Sequence, residues 1–566
     1  MSGAAVRLEN VSWKYARAQR PALCGASLEI AGGEFLAVMG ETGAGKTTLC
    51  RLMNGLIPHS LPGRLSGRVT VDGTDTGLST VARLSEKTGM AFDDPETQFF
   101  TARVFDEAAF GPENMLLPPA EVRERTRAAL AAAGLLGHSG RAPAALSGGQ
   151  KQRLAVAAAL AMANRVLVLD EPCSRLDPAG AAEVLSFVRR LRSDGKPAVV
   201  MATGSPEDAA EFADRVCVLK NGRILALDAP GRIFADRALL REAGIGAPGV
   251  CSFAFRMAGL GKPLAGFPLT AEEAAESLAA LGEGPDAEEA AAIALSELCP
   301  RAVLPPDPGA KAAIRIEGLG FAYPTDPERP VLDGAELEIA RGGFVAILGE
   351  NGSGKTTLLK NITGLLRPSR GRVFVGGKDA AGMGVAEIAG EVGYVMQDSD
   401  NQLFEQTVYD EAAFALRLPG QKLDGPEIRR RVEEALETLG IAELRGEFPP
   451  ALCKADRVKT VFAAVLAMGA KTLVLDEPLA GQDMRGSSAI METLAALHSG
   501  GRTIVLVTHD LRVAAGYAQR IVVMKNGRVQ IDADAAKAPE LAAELAEAGI
   551  PLPQLWRLAK LCKGGS

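Results

Sequence analysis

Histidine and paired cysteine are what this 566-residue sequence has least of. Its 4 His are dispersed with no metal-ligand spacing between neighbours, and its 8 Cys include no C-x-x-C pair. Both absences argue against a zinc or iron–sulfur module, and they suit a reducing compartment. A basic excess is missing too. With 62 Lys+Arg against 69 Asp+Glu, the formal net charge is −7 and the pI about 5.5, so no nucleic-acid partner is expected. No uninterrupted apolar run reaches the roughly 20 residues a helix needs to cross a bilayer. The nearest, Leu154 to Leu169, is broken by Asn164 and Arg165 and reads as a helix followed by a buried strand. Met1 to Asn10 lacks the apolar segment of a signal peptide. The expectation is a chain with no transmembrane segment of its own, soluble or held at a membrane through a partner.

What the sequence does have is apolar content, 47% of residues, and internal repetition. Lys46 recurs as Lys355, Asp170 as Asp476 and Thr203 as Thr508, at offsets of about 305–309 positions. Each repeat alternates short apolar strands with helical stretches. The strands are expected at Phe35–Met39, Val166–Leu169 and Ala198–Met201, and again at Phe344–Leu348, Thr472–Leu475 and Thr503–Val507. Such alternation predicts an α/β fold with a parallel sheet flanked by helices. An alternating strand opens each repeat, Arg7 to Tyr15 and Ile314 to Tyr323, ending in an aromatic.

Phosphate chemistry is written twice. Gly40–Thr47 and Gly349–Thr356 both fit G-x-x-x-x-G-K-[ST]. Gly40, Gly43, Gly45 and their counterparts Gly349, Gly352 and Gly354 let backbone N–H groups face phosphates, with Asn351 in the second loop. The helix that starts there, through Thr48 and Thr357, adds its positive end. Lys46 and Lys355 are expected on the β/γ-phosphates, and Thr47 and Thr356 on Mg²⁺. Asp170-Glu171 and Asp476-Glu477 close the later apolar strands, the Asp as a Mg²⁺ partner and the Glu as a base that polarises water. Ahead of the first such strand stands Leu146-Ser147-Gly148-Gly149-Gln150. There a hydroxyl and exposed N–H groups meet at a helix N-terminus, which suits an anion.

Together these motifs resemble the ATP-binding cassette (ABC) ATPases, whose signature pentapeptide is L-S-G-G-Q. The resemblance implies two P-loop cassettes, each a mainly parallel sheet core with an antiparallel β region and a helical subdomain. The boundaries expected are 1–235 for the first cassette, 236–311 for a helical tail and linker, 312–535 for the second cassette and 536–566 for a C-terminal helical tail. It also implies that each signature closes over ATP held by the partner cassette, that Tyr15 and Tyr323 stack on adenine, and that ATP and Mg²⁺ are the cofactors. Gln397 then matches the glutamine that reaches Mg²⁺ and the attacking water, and His509 the switch histidine on the γ-phosphate. Ser174-Arg-Leu-Asp177 and Ala480-Gly-Gln-Asp483 match the loop after the Asp-Glu pair.

The repeats depart from this pattern unequally. The first has Asp93 where the second has Gln397, and Gly204 where the second has His509. Counting back from Asp476 without gaps puts Leu452-Cys453-Lys454-Ala455-Asp456 at the second signature. With trans pairing, one composite site keeps Lys355, Gln397, Asp476, Glu477, His509 and Ser147–Gln150, while all three departures fall in the other.

Asp94-Pro-Glu-Thr-Gln98-Phe-Phe100 and Asp398-Ser-Asp-Asn-Gln402-Leu-Phe404 resemble a run found in the energy-coupling factor (ECF) and cobalt-type importer ATPases. That implies a transmembrane coupling subunit and a membrane-embedded substrate-binding subunit as partners, on the cytoplasmic face of the cell membrane. The alternatives are the ATPase of another ABC transporter family, or a soluble tandem-ABC regulatory or translation factor. The inter-repeat segment from about Ala229 to Lys311 is acidic, unlike the basic linker of such factors. Glu272 to Leu298 is expected to form helices, and Pro305 to Gly309 to end the linker. Leu240 to Ile245 resembles Leu545 to Ile550, which carries the repeat into a tail of unread role.

Overall fold

A computed structural model describes residues 4–174, 176–193, 197–280, 289, 292–293, 311–324, 326–418 and 423–562. The chain divides into two compact units, Met1–Ala290 with Lys560–Ser566, and Ala291–Ala559. Arg175, Pro305 to Gly309 and most of the segment after Ala280 lie outside the described residues.

In the first unit the strands are β1 (Ala4–Tyr15), β2 (Leu23–Ala31), β3 (Phe35–Met39), β4 (Gly63–Val71), β5 (Thr74–Asp75), β6 (Thr88–Ala91), β7 (Val166–Asp170), β8 (Ala198–Ala202), β9 (Arg215–Lys220) and β10 (Arg223–Asp228). They make an antiparallel sheet of order β2-β1-β4-β5 and a core sheet of order β10-β9-β3-β8-β7-β6. All core pairings are parallel except β9 with β10. β3, β7 and β8 are buried at every residue, as uninterrupted apolar runs covered on both faces must be.

The second unit repeats this layout with β11 (Ala312–Phe321), β12 (Leu332–Ala340), β13 (Phe344–Leu348), β14 (Arg370–Val375), β15 (Lys378–Asp379), β16 (Val392–Val395), β17 (Thr472–Asp476), β18 (Thr503–Val507), β19 (Arg520–Lys525) and β20 (Arg528–Asp534). Its sheets run β12-β11-β14-β15 and β16-β17-β18-β13-β19-β20. The expected strands are thus all present. One detail differs: β11 stops at Phe321, so Tyr323 lies just past the strand, whereas Tyr15 is the last residue of β1.

Each unit has an apolar layer between its two sheets, built in the first on Trp13, Leu28 and Leu49 and in the second on Ile316, Leu337 and Leu358. On the other side of each core sheet lies a helical region: Val104–Asn114, Pro119–Ala132 and Gly148–Ala161, then Val408–Phe414, Gly425–Thr438 and Lys454–Ala467. The interrupted apolar run does resolve into the helix Gly148–Ala161 and β7. Among the described residues no helix is long and apolar enough to cross a membrane. After β10, the helices Pro230–Ala235, Arg237–Ala243 and Gly249–Gly259 pack on the core sheet through Phe234, Leu240 and Cys251. Of the helices expected between Glu272 and Leu298, Ala271–Ala279 is formed.

Candidate functional site

Both candidate sites sit where parallel strands end and helices begin, the usual ligand position in such sheets. β3 and β13 run into the phosphate loops, and the helices Lys46–Met53 and Lys355–Ile362 follow. Gly45 and Gly354 precede these helices at φ 109° and 103°, in the left-handed region. A Cβ on Gly45 would also stand 2.6 Å from the Ala22 carbonyl oxygen, so the loop needs glycine there for space as well. Lys46 Nζ donates to Gly40 O at 2.8 Å, and Lys355 Nζ to Gly349 O at 2.7 Å and Glu350 O at 3.0 Å. Each lysine is thereby folded over its own loop.

Tyr15 Oη lies 3.1 Å from Thr48 Oγ1, and Tyr323 Oη 3.3 Å from Thr357 Oγ1. Trp13 and Phe321 meet these rings edge-on, with centroids 5.6 and 5.0 Å apart. The two aromatics therefore occupy the same place relative to the loops despite the earlier end of β11.

Asp170 and Asp476 are almost completely buried at the ends of β7 and β17. Thr47 Oγ1 donates to Asp170 Oδ1 at 3.2 Å, and Thr356 hydrogen-bonds Asp476. A hydroxyl beside a carboxylate at the mouth of a phosphate loop is a hard-oxygen donor set that fits Mg²⁺. Burial pushes the Asp170 carboxyl up to about 6, with Asp93 and Glu171 adding to the rise, and burial raises Asp476 as well. A cation arriving there is therefore met by carboxylates that are costly to ionise without it.

Glu171 and Glu477 have φ of 50° and 48°, a conformation few residues other than glycine adopt. The same strain in both units holds each carboxylate beside its phosphate loop, and such outliers gather at functional sites. Their partners differ. Glu477 Oε2 is 3.3 Å from His509 Nδ1, and this contact holds the imidazole above its usual range. Glu171 Oε1 is 3.3 Å from Lys46 Nζ, and a Cβ on Gly204 would still be 4.0 Å from Glu171 Oε2.

The signature helices start in register. Ser147 caps Gly148–Ala161, its Oγ accepting from Gln150 N at 3.3 Å while Gln150 Oε1 accepts from Ser147 N at 3.1 Å, a reciprocal capping box. Cys453 occupies the same cap position before Lys454–Ala467, as gapless counting expects, but makes no capping bond. Its thiol points instead to Asp456 Oδ2 at 3.0 Å. Burial and Asp456 raise that thiol, so it stays protonated and donates. Gly148 and Gly149 leave the helix start bare where Lys454 and Ala455 cover it. Lys454 leans over Gly481, whose Cβ would lie 2.6 Å from Lys454 Nζ.

Gln397 is exposed, and its side chain forms no hydrogen bond among the described residues. Asp93 is also exposed and reaches Asp170 only through its charge. Sequence reasoning missed Tyr394, whose phenol donates to Asp476 Oδ2 at 3.2 Å. It also missed what Gln98 and Gln402 do. Gln98 accepts from Phe92 N at 2.9 Å and donates to Met90 O at 3.1 Å. Gln402 does the same to Met396 N at 2.7 Å and Tyr394 O at 3.1 Å. Each clips the backbone beside Asp93 or Gln397, and the equal spacing of the two glutamines was the available signal.

The tail has a position as well. Lys525 Nζ donates to the Glu547 carbonyl at 2.7 Å, and Lys220 does the same to Glu242. The tail helices end at Gly244 and Gly549, packed on Glu41 and Glu350 of the phosphate loops. A Cβ on either glycine would fall within 1.8 and 2.1 Å of those carboxylates.

Two such units, each with a phosphate loop, a strand end carrying a buried Asp followed by a Glu, and a helix starting at the signature position, define a tandem P-loop nucleotide-binding protein. The family model described as ABC transporter matches residues 23–174 and 332–480. A "Putative ABC transporter ATP-binding protein" of Methanosarcina acetivorans is 36% identical over 98% of this chain and 90% of its own length. One of the same description from Lactiplantibacillus plantarum is 31% identical over 99% and 96%. The solved structure of cbiO1 from Clostridium perfringens, described as part of the ABC transporter complex cbiONQ, is 34% identical. It covers 44% of this chain and 99% of that one, with a TM-score of 0.39. The chain belongs to the ABC transporter ATP-binding family, and its two cassettes are ATP-binding ATPase domains.

Proposed function

We propose that this chain is the fused ATPase subunit of an ECF-type importer, working at the cytoplasmic face of the membrane. The observation that carries the reading is one arrangement present in both cassettes. Gln98 and Gln402 clip the loops that hold Asp93 and Gln397, and an exposed aromatic pair stands next to each clip. Phe100, 75% exposed, lies 5.9 Å from Phe110, and Phe404, 59% exposed, lies 4.6 Å from Phe414. Exposed apolar patches rimmed by polar residues mark interaction sites, and two equivalent ones suit two segments of membrane subunits. The importer's cargo would be selected by its membrane-embedded subunit.

Within this reading the cassettes pair head-to-tail. Lys355, Thr356, Asp476, Glu477, Gln397 and His509 work with Ser147–Gln150 on one ATP. The strained Glu477 accepts a proton from the attacking water, and His509 steadies it and faces the γ-phosphate. Bound Mg²⁺ would be held by Thr356 and Asp476, and by Thr47 and Asp170, and would neutralise developing phosphate charge. The site of Lys46 and Asp170 faces Cys453–Asp456 and has Gly204 instead of a histidine. It mainly retains nucleotide, because positioning and charge stabilisation carry most of phosphoryl transfer.

The test is purification of the C-terminally tagged chain from mildly solubilised native membranes. Small multi-spanning proteins in stoichiometric amount support the importer reading. Ribosomal proteins, or no membrane partner, contradict it.

A further inference from the structure

β16 and β6 lie next to β17 and β7, the strands that end in the buried Asp. Each runs parallel to its neighbour in the same register, with Tyr394 opposite Val474 and Met90 opposite Val168. These valines stand two residues before Asp476 and Asp170. The backbone is tied alike as well, since Gln402 donates to the Tyr394 carbonyl and Gln98 to the Met90 carbonyl, both at 3.1 Å. The two cassettes thus offer one slot beside the carboxylate and fill it with different side chains.

In the second cassette the slot holds a half-buried phenol that donates to Asp476 Oδ2 at 3.2 Å. Thr356 hydrogen-bonds the same carboxylate. Asp476 is therefore held by hydroxyls from two elements, the helix Lys355–Ile362 and β16. In the first cassette Thr47 supplies the corresponding bond to Asp170, but the thioether of Met90 has no hydrogen to donate. The Met90 sulfur lies 2.7 Å from Asn54 Nδ2 instead.

This difference bears on a metal ion more than on the fold. Mg²⁺ demands near-ideal octahedral geometry, so a carboxylate that must first turn to meet it binds it less well than one already set. Hydrogen bonds from outside the ligand set do that setting at metal sites. We infer that Tyr394 is a positioning residue, whose phenol holds Asp476 set for Mg²⁺ in the second cassette, a hold absent beside Met90 in the first. The inference rests on the reading of Asp476 as a Mg²⁺ partner and is independent of what is transported.

Tyr394→Phe keeps the ring and removes only the hydroxyl. It is made in the full chain carrying Lys46→Ala, where one analogue bound per chain reports the second phosphate loop. The Kd of a non-hydrolysable ATP analogue is measured in Mg²⁺ and in EDTA, and the ratio of the two is the gain that the metal brings. The result expected is the parent's affinity in EDTA with a metal gain lower by roughly tenfold. Tyr394→Met, which copies the first cassette, should lose as much. Asp476→Asn, measured alongside, tests the reading beneath and should lose most of the gain. If Asp476→Asn loses the gain while Tyr394→Phe keeps it, the inference is overturned and the metal reading stands. If Asp476→Asn keeps it, both fall. Equal weakening of Tyr394→Phe in EDTA and in Mg²⁺ marks a structural role and also overturns the inference.

Discussion

Glu477 and His509 stand 3.3 Å apart, carboxylate oxygen to Nδ1, at the end of a strained turn in the second cassette. In the first cassette the equivalent Glu171 Oε1 lies 3.3 Å from Lys46 Nζ, and Gly204 has no side chain to stand where His509 does. The backbone of the turn is the same in both, with φ of 50° at Glu171 and 48° at Glu477.

His509→Ala should remove a group that steadies the base and meets the γ-phosphate. By comparison with the loss of one transition-state donor, turnover should fall about 10²-fold. Gly204→His should not restore a comparable rate to the first site, because under the proposed head-to-tail pairing the departed signature Cys453–Asp456 serves that site. Steady-state ATPase rates of the two variants check both statements.

Ser147→Ala removes the helix cap and the signature hydroxyl together. It should cost about 1 kcal/mol of stability and most of the turnover. Cys453→Ala removes a thiol that caps nothing, so its unfolding midpoint and rate should stay near those of the parent. Thermal unfolding and ATPase rates, run side by side, distinguish the two caps.

Mg²⁺ binding at the first phosphate loop must displace a proton from Asp170 when the pH is low. Its carboxyl is raised to about 6, so below that pH apparent Mg²⁺ affinity should fall about tenfold per unit. Above it, affinity should level off. Asp93 is one cause of the rise, so Asp93→Asn should move the break to lower pH. Metal titrations of Glu477→Gln protein across pH 5–8 read this directly, with ~1 unit as the span needed to see the slope.

Gln402→Ala should free the Met396 amide and the loop that carries Gln397. Each lost neutral hydrogen bond is worth about 1 kcal/mol, so amide exchange there should quicken about fivefold. Gln98→Ala should do the same at Phe92. Hydrogen exchange with peptide-level readout is the measurement.

Much of this was legible in the sequence. Five-residue apolar runs such as Phe35–Met39 and Thr503–Val507 marked the buried parallel strands, because only a strand covered on both faces is apolar throughout. The second signature was legible by counting, and Cys453 indeed stands at the helix cap. Long-range side-chain contacts were not legible. Nothing local to Tyr394 tells that its phenol reaches Asp476, 82 positions away, since that contact depends on β16 lying beside β17. The ion pairs of Asp72 with Lys87 and Arg165 likewise appear only when three separated segments meet.

The central claim is that hydrolysis belongs to the site of Glu477 while the site of Glu171 mainly holds nucleotide. The direct measurement is the ATPase rate of Glu477→Gln beside that of Glu171→Gln in the same preparation. The account predicts that the first variant loses turnover by orders of magnitude and the second keeps most of it. Equal losses in the two would contradict it.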